Sequence, residues 1–327
     1  MKVGKIVGGG LALFAVVGLG GFTFLSAARP IARPASTEVV ERTPVRLARG
    51  RYLAETVIGC MDCHSKHRDD LYGWPAIPAT YGQGGFSFDQ KLGLPGVIQA
   101  QNITSDPETG IGSWTDGEVM RAIREGVARN GRALFPMMPY EQLRALSDED
   151  TRSVVVYLRS LPPIKKAIPD PVLDFPVSLL VRLSPQPVDG PVPDVKQEDH
   201  LALGKYLVTI SSCVVCHTNQ VRGRPVKGME YAGGWVLEMP WGRLVTPNIT
   251  PDPETGIGNM TKEAFIGRVK SFASLGEVPA PKARNTIMPW LEFAHMPEEE
   301  LGAIYDYLRT VPPVKNKIEN VFPDAPT

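Results

Sequence analysis

Cys60-Met61-Asp62-Cys63-His64 and Cys213-Val214-Val215-Cys216-His217 are the two stretches on which the reading of this chain turns. Both spell C-x-x-C-H, the attachment pattern of a c-type haem. Two thiols three positions apart share one turn of helix, so both can add to the vinyl groups of one porphyrin. The histidine that follows then lies under the ring and can coordinate the iron. A single such motif would also suit a zinc or thioredoxin-like site. This chain, however, has four cysteines, and all four belong to the two motifs. None is left for a disulfide, and zinc would need further Cys or His at ligand spacing. His67 and His200, the spare histidines near the motifs, do not occupy equivalent positions. The motifs therefore predict two covalently bound haem c groups, held by Cys60 and Cys63 and by Cys213 and Cys216. His64 and His217 are the expected axial donors.

Working outward, the chain repeats itself. Arg49-Gly50-Arg51-Tyr52-Leu53 matches Leu203-Gly204-Lys205-Tyr206-Leu207. The run from Asn102 to Gly112 matches that from Asn248 to Gly258, both reading N-I-T-x-D-P-E-T-G-I-G. Met138-Pro139-Tyr140 matches Met288-Pro289-Trp290, and Tyr157-Leu158-Arg159 matches Tyr307-Leu308-Arg309. A period this long indicates duplicated domains and not a solenoid. Each half reads as three main helices joined by loops. The first leads into the haem motif, with Leu47, Leu53 and Val57 at helical spacing. The second starts after Thr115, where Thr115 and Glu118 form a capping-box pattern, and its twin starts near Thr261. The third starts near Ser147, and its twin at Pro297.

Haem iron takes six ligands, and ring plus histidine supply five. Met138 and Met288 fall in register between the second and third helices of each half, each followed by Pro and an aromatic residue. Proline stiffens a loop that must hold sulfur over iron. A lone methionine would read as core filler; repetition at the same place points to ligation. Met137 is the rival in the first half, but its counterpart is Ile287, which suits packing. His67 reads as a surface residue. Asn102 and Asn248 read equally as haem-edge donors or as turn formers. Trp74, Trp235 and Trp241 fit haem lining and core packing equally well.

The 327 residues suffice for two domains, and a formal net charge of zero gives no sign of nucleic-acid binding. With 31 Pro and 32 Gly, much of the chain should be loop. Lys2 and Lys5 precede an uncharged run from Ile6 to Ala28, long enough to cross a bilayer as a helix. Ser26-Ala27-Ala28 would also pass as a signal-peptide cleavage site; the length of the run favours a retained anchor. The expected layout is an amino-terminal membrane anchor over 1–28 and a tether over 29–44. A first domain covers 45–168, a Pro-rich linker 169–195, a second domain 196–318 and a tail 319–327. The predicted fold is all-α, with an N-terminal transmembrane helix ahead of two haem domains.

Taken together, these motifs resemble those of the c-type cytochrome subunits of bacterial membrane-bound dehydrogenases, which serve the oxidation of alcohols, gluconate, sorbitol or aldehydes. The resemblance covers about residues 45–317. It implies two tandem class I cytochrome c domains with His64/Met138 and His217/Met288 as axial pairs. The best-known members carry three haem motifs where this chain has two. The expected function is single-electron transfer between a membrane-bound, periplasmic-side dehydrogenase and a respiratory acceptor: an oxidase, a quinone site or another cytochrome. The chain itself would be no enzyme and would sit on the inner membrane by a single pass, its haem domains periplasmic. The alternative is a di-haem enzyme, a peroxidase or a sulfur-oxidising cytochrome, with one open haem site. The near-symmetry of the halves favours the carrier.

Overall fold

The computed structural model describes residues 20–319, save 222, 240, 241 and 281–284. In the first half, Thr43 caps α1 (Pro44–Tyr52), with Pro44 in the first turn where its missing N–H costs nothing. A π-helical turn over Leu53–Val57 carries the chain to α2 (Cys60–His64). Next come β1 (Ser87–Phe88) and β2 (Gly96–Gln99). The capping box on Thr115 and Glu118 is present and opens α3 (Asp116–Glu125), which Gly126 ends in the left-handed region. The first half closes with α4 (Tyr140–Leu143) and α5 (Asp148–Ser160), the latter capped by Ser147.

The linker supplies β3 (Val172–Leu173) and α6 (Val177–Leu180) and stays on the first half, where Arg144 donates to Pro187 O at 2.6 Å. The second half repeats the order. It runs through α7 (His200–Ile210), α8 (Cys213–Cys216), β4 (Gln220–Val221), β5 (Arg224–Pro225), β6 (Val236–Met239) and β7 (Gly242–Val245). It then forms α9 (Lys262–Lys270), α10 (Trp290–Phe293) and α11 (Glu298–Leu308).

The all-α expectation is corrected here. Among the described residues there is a three-stranded sheet, β1-β2-β3, and two two-stranded sheets, β4-β5 and β6-β7. All the pairings are antiparallel. The expected transmembrane helix is corrected as well. Among the described residues no helix is long and apolar enough to cross a membrane; in that region residues 20–27 are helical. Residues 1–19 of the expected span, and the tail beyond 319, lie outside the described residues.

Each half is organised by the crossing of its first and last long helices, α1 on α5 and α7 on α11. Glycine permits the crossing. A Cβ on Gly50 would stand 1.8 Å from Ser153 O, and one on Gly204 would stand 1.9 Å from Ala303 O. These are backbone atoms of the opposite helix and cannot rotate away. The two crossings then merge into one buried core. Leu53, Val57, Val154 and Leu158 of the first half pack in the same cluster as Leu207, Ile210, Leu301 and Leu308 of the second. The short helix after each methionine docks on the other half. Helix α4 packs on α7, and α10 packs on the π-helical turn after α1.

Candidate haem sites

Both motifs form short helices entered through a left-handed residue, Gly59 at φ +71° and Ser212 at φ +57°. That sharp entry sets the helix axis. Cys60 and Cys63 then share one face of α2, and Cys213 and Cys216 one face of α8. All four thiols are free. Burial pushes Cys60, Cys63 and Cys213 up to about 12 and Cys216 up to about 11, so each is a neutral thiol at pH 7. At Cys63 the neighbouring Asp62 adds to the rise, and Cys60 and Cys216 contribute less. Beside them, burial raises the carboxyl of Asp62 well above the usual range, and Glu292 of the second half adds to the shift.

The histidines are oriented alike. His64 Nδ1 lies 2.6 Å from Gln101 O, and His217 Nδ1 lies 2.8 Å from Pro247 O. A carbonyl can only accept, so each Nδ1 carries the proton and each Nε2 keeps a bare lone pair. Burial lowers both imidazoles, partly offset by the same carbonyls, so both are neutral donors. Paired free thiols on one helical face beside a neutral imidazole with a free Nε2 are the donor set a c-type haem needs, and these residues fit it.

The accepting carbonyls come from the residues just before Asn102 and Asn248, and the two asparagines fix those loops. Asn102 Nδ2 donates to Ile164 O (2.7 Å), Lys166 O (3.2 Å) and Thr109 Oγ1 (3.1 Å), while its Oδ1 accepts from Thr104 N (2.9 Å) and Thr104 Oγ1 (2.7 Å). Asn248 repeats this with Val314 O (2.8 Å), Thr255 Oγ1 (3.0 Å) and Thr250. Both are buried, and their hydrogen bonding is spent within the protein. They hold the histidine's acceptor and do not serve as haem-edge donors.

Met138 and Met288 sit in matching turns. Met138 N–H donates to Phe135 O and its carbonyl accepts from Tyr140 N–H at 2.8 Å; the Met288 carbonyl accepts from Trp290 N–H at 2.7 Å. The following prolines share one conformation, φ −80° and ψ 47° at Pro139, φ −75° and ψ 58° at Pro289. Met138 packs in the same core as Cys60 and Cys213. Met296 is fully buried filler.

His67 departs from the surface role expected of it. It is half-buried and stacked on Trp74 at 3.9 Å, and Trp74 therefore serves this stack. Trp241 lies outside the described residues.

Thiol pairs and oriented histidines of this kind are what a c-type haem would require of a chain. No family model matches the chain, but comparison with known proteins narrows the class. It is 27% identical over 300 residues to the cytochrome c subunit of alcohol dehydrogenase (quinone) from Gluconacetobacter polyoxogenes, covering 85% of this chain and 58% of that protein. It is 28% identical over 276 residues to the fructose dehydrogenase cytochrome subunit of Gluconobacter japonicus, covering 81% and 52%. It is 28% identical over 264 residues to a diheme cytochrome c-type protein of Cereibacter sphaeroides, covering 79% and 83%. The chain is thus similar to proteins named as cytochrome subunits of dehydrogenases, and it spans little more than half the length of the two dehydrogenase subunits.

Proposed function

We propose that this chain is a two-haem electron relay. Cys60 and Cys63 would hold one porphyrin and Cys213 and Cys216 the other. His64 and Met138 would cap the first iron, His217 and Met288 the second. When bound, haem iron supplies one-electron exchange between its ferrous and ferric states. The chain's own work is to present a neutral imidazole and a thioether to each site and to keep water away. A soft thioether raises the potential of such a centre, which suits a carrier fed by a dehydrogenase. Two filled axial positions would leave no place for substrate. The donor would be a membrane-bound dehydrogenase and the acceptor an oxidase, a quinone site or another cytochrome. The haem-bearing halves would work on the periplasmic side of the inner membrane.

The observation that carries this reading is the duplication of the whole constellation. Thiol pair, Nδ1-tethered histidine and Met-Pro-aromatic turn occur twice, with neither copy altered. Haem content per chain, together with the weak red-region sulfur-to-iron band of the oxidised protein, tests it. Two haems and a band that titrates as two centres are expected. One haem per chain, or prompt carbon monoxide binding to the reduced wild-type protein, would overturn the relay. Copurification from solubilised membranes, followed by mass spectrometry, tests the donor; recovery without any dehydrogenase subunit counts against it.

A further inference from the structure

The loop that leaves the first haem motif does not stay in its own half. Residues 66–80 close on themselves: Arg68 N–H donates to Pro75 O (3.0 Å), Ile77 N–H donates to Lys66 O (2.7 Å), and His67 stacks on Trp74. The tip of this rigid loop reaches the segment that precedes Met288. Tyr72 N–H donates to Val278 O, and Ala280 N–H donates to Asp70 O, both at 2.8 Å. The Tyr72 ring, 2% exposed, packs in a small cluster with Phe272 and Ala294.

One side chain ties the tip to the methionine. Asn285 Oδ1 accepts from Gly73 N–H at 2.8 Å, and Asn285 Nδ2 donates to Leu71 O at 3.3 Å. The same Oδ1 accepts from Thr286 N–H at 2.9 Å, and Thr286 Oγ1 accepts from Met288 N–H at 3.0 Å. Asn285 and Thr286 are each 1% exposed. Gly73 is in the left-handed region at φ +75°, and a Cβ there would stand 2.8 Å from Leu291 Cδ1. The tip is therefore flush against α10, which begins two residues after Met288. The first half lacks this arrangement. Its counterparts of Asn285 and Thr286 are Phe135 and Pro136, whose side chains form no hydrogen bonds.

We propose that residues 66–80 act as a splint for the second sulfur ligand, and that Asn285 is the positioning residue through which the first half fixes Met288. The proposal rests on Met288 being that ligand. A thioether reaches iron only if its loop is already ordered, since each backbone residue left free costs conformational entropy on ligation. The hydrogen-bonded chain from Leu71 and Gly73 through Asn285 and Thr286 supplies that order. It also makes the second site depend on a segment that starts two residues past His64, so the two centres are mechanically joined.

The test uses the full-length holoprotein and four variants: Asn285→Ala, Asn285→Asp, Thr286→Val and Met288→Ala. The readouts are the oxidised sulfur-to-iron band, carbon monoxide binding to the reduced protein and the two midpoint potentials. Met288→Ala is expected to lose about half of the band, one of two sulfurs being gone. Asn285→Ala should keep both haems and the band of the first centre. Its second centre should bind carbon monoxide about tenfold more readily or beyond, since the variant loses three hydrogen bonds and the net weight of one is already about tenfold, and its potential should fall. Asn285→Asp, which keeps an acceptor for Gly73 and Thr286, should recover most of the wild-type signature. Thr286→Val should move the same centre in the same direction, and it decides the matter if Asn285→Ala does not assemble. If Met288→Ala loses its band while Asn285→Ala and Thr286→Val match wild type, the splint is wrong and the ligand stands. If Met288→Ala leaves the band unchanged, the ligand reading fails and the splint with it.

Discussion

Tyr52 and Tyr206 hold equivalent places in the two halves, and each donates its hydroxyl to the acid of the other half. Tyr206 Oη donates to Asp150 Oδ2 at 2.6 Å, and Tyr52 Oη donates to Glu300. Asp150 and Glu300 are themselves equivalents, so the exchange is reciprocal about a local two-fold relationship. Arg49 breaks the symmetry, because its counterpart is Leu203. Its guanidinium meets Asp150 through Nε (2.8 Å) and Nη2 (2.9 Å) and approaches Glu300 at 4.0 Å. One cation thus serves two buried carboxylates, Asp150 at 8% exposure and Glu300 at 6%. Burial and the neighbouring carboxylates raise both tyrosines, so both hydroxyls stay protonated as donors.

This network sets the first prediction. Tyr206→Phe leaves a buried carboxylate without one donor and should cost about 1–3 kcal/mol. Arg49→Leu should cost about as much or more, because two acids lose their cation together; the 30% exposure of Arg49 keeps it below the full value for a buried pair. Denaturant unfolding of the holoprotein checks both. A double variant whose cost falls well short of the sum would show that the two residues act as one unit.

Helix crossing gives the second. Gly50→Ala and Gly204→Ala each push a methyl group against a backbone carbonyl, at 1.8 Å and 1.9 Å. Helix propensity alone would favour alanine by about 1 kcal/mol. Overpacking of this kind costs about 1–3 kcal/mol or more and wins, because backbone cannot step aside as a side chain can. Thermal midpoints should fall for both variants. A rise in either would mean that the helices cross further apart.

The third concerns the asparagines. Asn102→Ala takes a donor from the half-buried carbonyls of Ile164 and Lys166 and an acceptor from the Thr104 hydroxyl, which keeps only its longer contact to Ile164 O (3.4 Å), for about 1–3 kcal/mol. It also frees the loop that presents Gln101 O to His64. Asn248→Ala should do the same for Pro247 O and His217. Each variant should shift the potential of its own centre and spare the other, as redox titration would show. A potential that does not move would reduce the asparagines to loop clamps.

What the sequence made legible follows from its repetition. The thiol pairs, the Met-Pro-aromatic turns and the cap at Thr115 recur or follow local rules. The strands escaped notice because β1 and β3 are two residues long and show no periodicity to read. Asn102 and Asn248 were visible as a pair, but their acceptors Ile164 O and Val314 O lie 62 and 66 residues away. The splint was hidden for the opposite reason. Asn285 faces Phe135 across the repeat, and attention to what is duplicated passes over what is not.

His67 supplies the last prediction. Burial against Trp74 lowers its imidazole from 6.5 to about 4, a shift only partly offset by Asp69, and its Nε2 has no partner among the described residues. The unfolded chain therefore takes up a proton near pH 6.5, where the folded chain refuses it. Between these values the unfolded state binds more protons, so stability falls as pH falls. The contribution is fully present above pH 6.5 and is gone once pH has dropped past 4. Titrating carboxylates confuse the lower part of that window, so the comparison belongs between pH 6.5 and 5. Wild-type protein should lose more of its thermal midpoint over that range than His67→Phe, which keeps the stack on Trp74 and carries no proton. Parallel curves for the two proteins would mean that His67 takes its proton in the folded state, and that the splint loop is open to water.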